Sequence, residues 1–481
     1  MVTARLQRTI SRARRAVLRA AGSRSLPLRR LAGPAVLVAV LALLVRLLYL
    51  ADAAPGLHTP AQPGVRMAAR YSDAAAALLE GDGILYPRTW PDRSDTALVS
   101  RPPGYPAFVA LVQAVAGRTY LAVLSAQALV TVLLPVLLLW LASRAVGHRA
   151  GLAAGLVAAA SPPLGYYAAV FTPDALAALL AVATVVVLWC GRRRPAAAAI
   201  VAGTLVGVAT WLRPNFLLLP LLLLVALWLA VPRRGGAWRA ALVVVTAWAI
   251  VAPITIRNYR LYGELVPVSS NFGIVLWEGI ADLGGERFGA HPADREVARD
   301  EAVRLGDRRY AQWWASPDGI RRDRDRVRRS LEVIGAHPWW FVAGCLRRAA
   351  SVIGQQRAAP LVSASLPPPP DPEGESRWLA LAGAAGWLRP PVRWLQQIST
   401  VPGAWLRACG LALMVLLAPR RALLLLAVPL YVLAMQSPVH FEPRFALPLH
   451  AFSPVLEGLA WAVLPGAVVA GVVSVLSGSG R

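Results

Sequence analysis

The sequence predicts an all-α polytopic membrane protein. Apolar runs of about twenty residues recur along the chain, long enough to cross a hydrocarbon core of about 30 Å as a helix. Of the 481 residues, 57% are hydrophobic and only 16% charged, and arginines gather at the alternate ends of the apolar runs. Helices satisfy their own backbone groups in lipid, and the alternating segments of about ten residues that build a membrane barrel are not found. The formal net charge of +25 would suit nucleic acid. Its arginines flank apolar runs, however, so they mark topology and no nucleic-acid partner is expected.

Residues 1–30 carry Arg5, Arg8, Arg12, Arg14, Arg15, Arg19, Arg24, Arg29 and Arg30 without one acid, and no small-residue cleavage site follows the next apolar run. They read as a retained cytoplasmic tail that can also touch anionic lipid headgroups. Residues 31–262 form an N-terminal membrane module. In its first span, Leu31 to Ala51, Arg46 is expected to snorkel to the outer interface or to pair with a phosphate or Asp52. Residues 52–118 are the first outer loop, in which Tyr105 to Ala116 is too short to span and suits the interface.

Further spans run from Thr119 to Ala145, from Gly151 to Pro163, down to Arg192, up to Trp211, down to Arg233 and up to Pro253. Thr172 and Pro173 read as an N-cap and first-turn proline, which puts Asp174 in the first turn, where the helix macrodipole favours an anion. Residues 263–338 mix both charge signs at helical spacing and predict a small extracytoplasmic helical segment with a mostly solvated face. Within 339–400, Trp339 to Ile353 suits a helix lying along the membrane, and Pro367 to Pro370 a stiff extended loop. Residues 401–481 add three spans, giving about ten in all with both termini cytoplasmic, or about twelve if Trp339 to Ile353 and Trp378 to Trp387 also cross.

Cys190, Cys345 and Cys409 stand singly in apolar segments, and the histidines show no ligand spacing, so no metal site is expected from spacing alone. The polar residues that topology gathers at the outer face are of two kinds. Asp73, Glu80, Asp82, Asp92 and Asp95 of the first loop and Asp174 are the acids, Asp73 and Asp174 among them the candidate catalytic ones, while Tyr71, Arg101, Arg213, Asn215, Arg257, Asn258, Glu442 and Arg444 are candidate substrate contacts. Carboxylates can take a proton from a hydroxyl, and guanidinium groups can hold an anionic leaving group through forked, charge-assisted bonds. Arginines on the outer side stand against the topological preference, which favours a role in binding over a role in insertion.

These residues occur within stretches that resemble the GT-C membrane glycosyltransferases, the superfamily of the protein O-mannosyltransferases and the lipid A aminoarabinose transferase. The matching stretches are Arg70-Tyr71, Leu78 to Gly83, Arg101-Pro102-Pro103-Gly104-Tyr105-Pro106, Thr172 to Leu176, Leu212-Arg213-Pro214, Arg257-Asn258-Tyr259 with Gly263-Glu264, and Pro443 to Pro448. The resemblance implies a multi-span helical bundle and a polyprenyl-phosphate sugar as donor, with a divalent cation as a possible aid. It implies Arg101 as a contact to the donor phosphate and Asp174 as the second acidic position.

One departure stands out. The family's first-loop acid lies four residues before the tyrosine, a position held here by Met67. Asp73 is the nearest replacement, about 240° round a helix from that position. The resemblance therefore implies transfer of a sugar, with inversion, to an acceptor on the extracytoplasmic face of the cytoplasmic membrane. Two other readings stay open: a non-catalytic relative that binds lipid phosphate, and a flippase for a lipid-linked anion. The sequence identifies neither sugar nor acceptor.

Overall fold

A computed structural model describes residues 28–53, 63–81, 102–230, 234–311, 319–354, 403–416 and 419–478. Arg101, residues 54–62 and 82–101 of the first outer loop, and the proline-rich loop lie outside the described residues. What is described is helical, with no strand among it. Five of these helices are long and apolar enough to cross a membrane, and five further apolar helices are shorter.

Helix α1 is Leu28–Ala53, followed by α2, Pro63–Leu79, and α3, Gly104–Ala116. Helices α4, Tyr120–Thr131, and α5, Leu133–Ala145, together make one long apolar stretch. Next come α6, His148–Ala160, the short α7, Pro162–Ala168, α8, Asp174–Cys190, and α9, Pro195–Leu212. Helices α10, Leu219–Ala230, and α11, Arg234–Tyr262, complete the N-terminal half. One continuous apolar core joins α1 and α3–α11 to the C-terminal helices, with Leu138, Val182, Val206, Leu223, Val428 and Val455 among its buried members.

Arg46 corrects the snorkelling expectation. Its side chain is fully buried, and it donates from Nε to Oγ1 of Thr131 at 3.0 Å, from one terminal nitrogen to the carbonyl of Thr131 at 3.0 Å, and from the other to the carbonyl of Ala42 at 3.0 Å. Pro135 lies four residues beyond Thr131 and has no N–H to offer its carbonyl, which a helix interior would otherwise require. Arg46 supplies the missing donor. In lipid an unmet carbonyl is costly, so Pro135 accounts for both the α4–α5 break and the buried cation that meets it.

The polar segment 263–338 has a small core of its own. Helix α12, Phe272–Ile280, buries Ile274, Trp277 and Ile280, joined by Ala281, Ala290 and Val297. Helices α13, Asp294–Leu305, and α14, Gly319–Ala336, meet through Glu301, which is 1% exposed and takes Arg322 at 2.5 Å and Arg326 at 2.7 Å. Asp323 accepts from the backbone N–H of Ile274 at 3.2 Å, in the first turn of α12. The expected solvated face is therefore partly an interior one. Two cations around one carboxylate satisfy each other where neither could be buried alone.

Helix α15, Pro338–Gly354, is two-sided, with Trp339, Val342 and Leu346 exposed and Val352 buried. Arg348 turns inward and donates to the carbonyls of Gly279 at 2.8 Å and of Val439. Helices α16, Gly403–Leu416, α17, Pro419–Gln436, and α18, Leu447–Gly478, close the bundle. Arg407 of α16 pairs with Glu457 of α18 at 3.0 Å inside it.

Candidate active site

The site is assembled where α8 starts, α9 ends and the segment before α18 turns. Pro214 disfavours a helical conformation in the residue before it, so α9 stops at Leu212 and Arg213 is extended, with φ −142° and ψ 112°. That swings the guanidinium across to α8, where it meets Oδ2 of Asp174 at 2.5 Å. Asp174 is 3% exposed and sits in the first turn, as expected. Thr172 does not cap the helix: its Oγ1 is buried and makes no bond among the described residues, and Pro173 takes the capping position.

A second ion pair stands beside the first. Pro443–Ala446 forms a single 3-10 turn, in which Arg444 pairs with Glu442. The guanidinium of Arg213 lies 5.0 Å from the centroid of the Phe445 ring, and that of Arg444 lies 5.1 Å from it. One aromatic ring thus gathers both cations, an arrangement that cation–π attraction favours. Asp174, Glu442 and Arg444 all act electrostatically on the Tyr167 phenol, and Tyr71 and Glu442 act on Arg213. The sequence candidates Tyr71, Asp174, Arg213, Glu442 and Arg444 therefore come together.

Aromatic packing fixes the floor of the site. Tyr71 meets Tyr105 edge-on at 4.9 Å, and Tyr105 meets Phe171 edge-on at 5.4 Å. The Tyr105 hydroxyl donates to Oε1 of Gln127 at 2.9 Å. The amide nitrogen of Gln127 donates in turn to the carbonyls of Tyr167, Ala168 and Val170 at 3.1, 3.1 and 2.8 Å. These carbonyls belong to the connection that leads into Asp174, so Gln127 holds the carboxylate's approach. Sequence reasoning missed Gln127, although its signal was legible as the one amide in the apolar stretch from Tyr120 to Leu141.

Gly104 positions the arginine from the other side. A Cβ there would lie 2.6 Å from the backbone carbonyl of Trp211, so α3 can touch the end of α9, two residues before Arg213, only with glycine. The turn after Arg213 is tacked down by Tyr431, whose hydroxyl donates to the carbonyl of Asn215 and accepts from the N–H of Leu218. The side-chain oxygen of Asn215 is buried and has no partner among the described residues. The same is true of Nε of Arg213.

Other candidates stand apart. Asp73, two residues beyond Tyr71, is exposed, and partial burial of its surroundings holds its carboxyl above the usual range. Asn258 is fully buried and spends its amide on the carbonyls of Val266 and Val268, while Arg257 donates to Asn258 at 2.9 Å. Both therefore shape the return after α11. Arg101 lies outside the described residues. Among the described residues, no group of three or more His, Cys, Asp or Glu could hold a metal ion. The close approach of His440 to Asp282, 2.9 Å, is an ion pair that Arg348 shares at 3.6 Å.

Residues 100–256 match the family model for dolichyl-phosphate-mannose-protein mannosyltransferase. The fold is similar to that of the archaeal oligosaccharyltransferase AglB from Archaeoglobus fulgidus, solved with an inhibitory peptide and a dolichol-phosphate. The TM-score is 0.50 and the identity 13%, over 92% of this chain and 51% of that one. A structure of the same enzyme with Zn and sulfate gives a TM-score of 0.50 at 12% identity, over 90% of this chain and 49% of that one. ArnT from Cupriavidus metallidurans, bound to undecaprenyl phosphate, is 16% identical over 90% of this chain and 78% of its own, with a TM-score of 0.38. The chain spans about half the length of the oligosaccharyltransferase chains it matches. No curated protein is significantly similar to it in sequence. The chain thus shares the fold of the AglB oligosaccharyltransferase, and its residues 100–256 match the mannosyltransferase family model.

Proposed function

We propose that the protein is a membrane glycosyltransferase that moves a sugar from a polyprenyl-phosphate donor to an acceptor hydroxyl on the extracytoplasmic face, with inversion. The observation that carries this reading is the convergence of Arg213 and Arg444 on Phe445, beside Asp174 and Glu442. In the reaction the hydroxyl oxygen bonds to the anomeric carbon as the bond from that carbon to the phosphate oxygen breaks. The phosphate leaves with the electron pair, and Arg213 and Arg444 stabilise the charge it gains. The hydroxyl proton passes to a carboxylate of this face. We assign that role to Asp73, exposed on α2 two residues beyond Tyr71, whose raised carboxyl makes it the stronger base once ionised.

The mannosyltransferase family match over 100–256 supports a lipid-linked sugar as donor, and the dolichol-phosphate held by AglB supports a lipid phosphate in this fold. The topology that goes with this reading has about ten crossings of the cytoplasmic membrane and both termini inside. Met67 in place of an acid favours a second reading, a non-catalytic relative that binds lipid phosphate.

The test is turnover by the purified full chain in nanodiscs, offered a panel of polyprenyl-phosphate sugars. Transfer or donor hydrolysis is expected, falling at least about a hundredfold in Arg213→Ala, as loss of one charge-stabilising donor does elsewhere. Binding of lipid phosphate without turnover of any donor would overturn catalysis in favour of the non-catalytic reading. Transport without bond cleavage would make the protein a flippase.

A further inference from the structure

The site holds two cations, yet its formal charges cancel. Arg213 is matched by Asp174 at 2.5 Å and Arg444 by Glu442. Asp174 is 3% exposed and Arg213 13%, so this first pair is closed off from water in the resting geometry. A phosphate that entered beside both acids would meet like charges at short range, and such juxtaposition disfavours the charged form of each. The cations are held ready, but they are already neutralised.

We infer that the acids are placeholders, and that the donor's phosphate binds by exchange: it takes over the guanidiniums of Arg213 and Arg444 as Asp174 and Glu442 let them go. This deepens the proposed function and rests on it. Three features fit an exchange. The ring of Phe445 attracts both guanidiniums, at 5.0 and 5.1 Å from its centroid, so neither cation depends on its carboxylate alone for its place. Nε of Arg213 is buried without a bond among the described residues, which leaves a donor edge for a forked anion that the single contact to Asp174 does not use. Oγ1 of Thr172, two residues before Asp174, is likewise buried and unbonded among the described residues.

Exchange has a consequence for order. Before the donor arrives Asp174 is neutralised by Arg213. After exchange it faces the reacting centre as a free carboxylate, at the same face where the acceptor hydroxyl must lose its proton. Donor therefore binds first, and a site without donor holds no second active base.

The test is direct binding of a purified polyprenyl phosphate to the full chain in nanodiscs, comparing wild type with Asp174→Asn and Glu442→Gln. Removing a competing anion is expected to tighten binding about tenfold in each variant, the equivalent of about 1.4 kcal/mol. Asp174→Asn also loses transfer. If the acids instead orient the arginines for the phosphate, both variants bind more weakly, and that result overturns the exchange. Unchanged affinity overturns it as well. Should Asp174→Asn fail to fold, Glu442→Gln gives the same sign test, because Glu442 is 37% exposed. Wild type that binds lipid phosphate, with variants that bind it no more tightly, leaves the transferase reading standing. Wild type that binds no polyprenyl phosphate removes both.

Discussion

Tyr105 and Gln127 share a buried hydrogen bond of 2.9 Å, and through it the start of α3 is tied to the backbone that delivers Asp174. Replacing Gln127 with Leu removes the acceptor for Tyr105 and the donor for three carbonyls. Buried polar groups left without partners cost about 1–3 kcal/mol each. The expected result is a loss of at least about 2 kcal/mol in thermal unfolding, with turnover falling through kcat more than KM. Gln127→Glu keeps the acceptor but not the donors, so it is expected to recover little.

Gly104→Ala puts a methyl group against the backbone of Trp211, which cannot rotate away as a side chain would. Overpacking of this kind costs about 1–3 kcal/mol. The strain falls next to Arg213, so activity is expected to drop more than stability does. Parallel melts and turnover assays separate the two.

The bond between Arg46 and the carbonyl of Thr131 predicts an interaction with Pro135. Arg46→Met leaves that carbonyl without a donor, and Pro135→Ala then restores an N–H four residues on. The double variant is expected to be more stable than Arg46→Met by about 1 kcal/mol, the usual net worth of one hydrogen bond. A double-mutant cycle on melting temperature measures it; additive effects would contradict the account.

Glu301 carries the pH sensitivity of the segment 263–338 at the acid end. Burial alone would raise its carboxyl, but Arg326 and Arg322 outweigh this and hold it below the usual range. Its stabilisation is therefore fully present above the unfolded value of about 4.3 and is lost as pH falls through the lower folded value. Glu301→Ala leaves two buried guanidiniums and is expected to cost about 3–5 kcal/mol, read as loss of protease resistance in α13 and α14.

His440 works in the opposite direction. Its hydrogen bond to Asp282 raises the imidazole above its ordinary value against the effect of burial. The stabilisation is complete below about pH 6.5 and fades as pH rises through the folded value. Melting curves taken from pH 6 to 9 are expected to show this decline in wild type and not in His440→Gln.

Much of the site could be read in the sequence because its signals are local. Pro214 dictates the extended backbone of Arg213, and Pro443 opens the turn that carries Arg444, so the prolines mark where these side chains stand outside the long helices. The Thr172 cap failed because the tertiary position of Asp174 set the helix start, not the local hydroxyl. Asn258 has the look of a substrate contact in sequence, yet its amide nitrogen goes to the carbonyls of Val266 and Val268, a return whose closeness no spacing rule encodes. Glu301, Arg322 and Arg326 read as a solvated face because charge pattern reports periodicity but not which charges will meet across helices. The inward turn of Arg46 is hidden for the same reason: its partner Thr131 lies 85 residues away.

That separation also sets a timetable for biogenesis. Helix α1 emerges from the ribosome with a cation in its apolar stretch, and the carbonyl that receives it does not yet exist. At about 5–20 residues per second, the 85 residues to Thr131 take roughly 4–17 s to make. During that interval the guanidinium has only the carbonyl of Ala42, in its own helix, as a partner. It must wait at the insertion machinery or ride near the headgroups, and settle to its final depth only when α4 arrives.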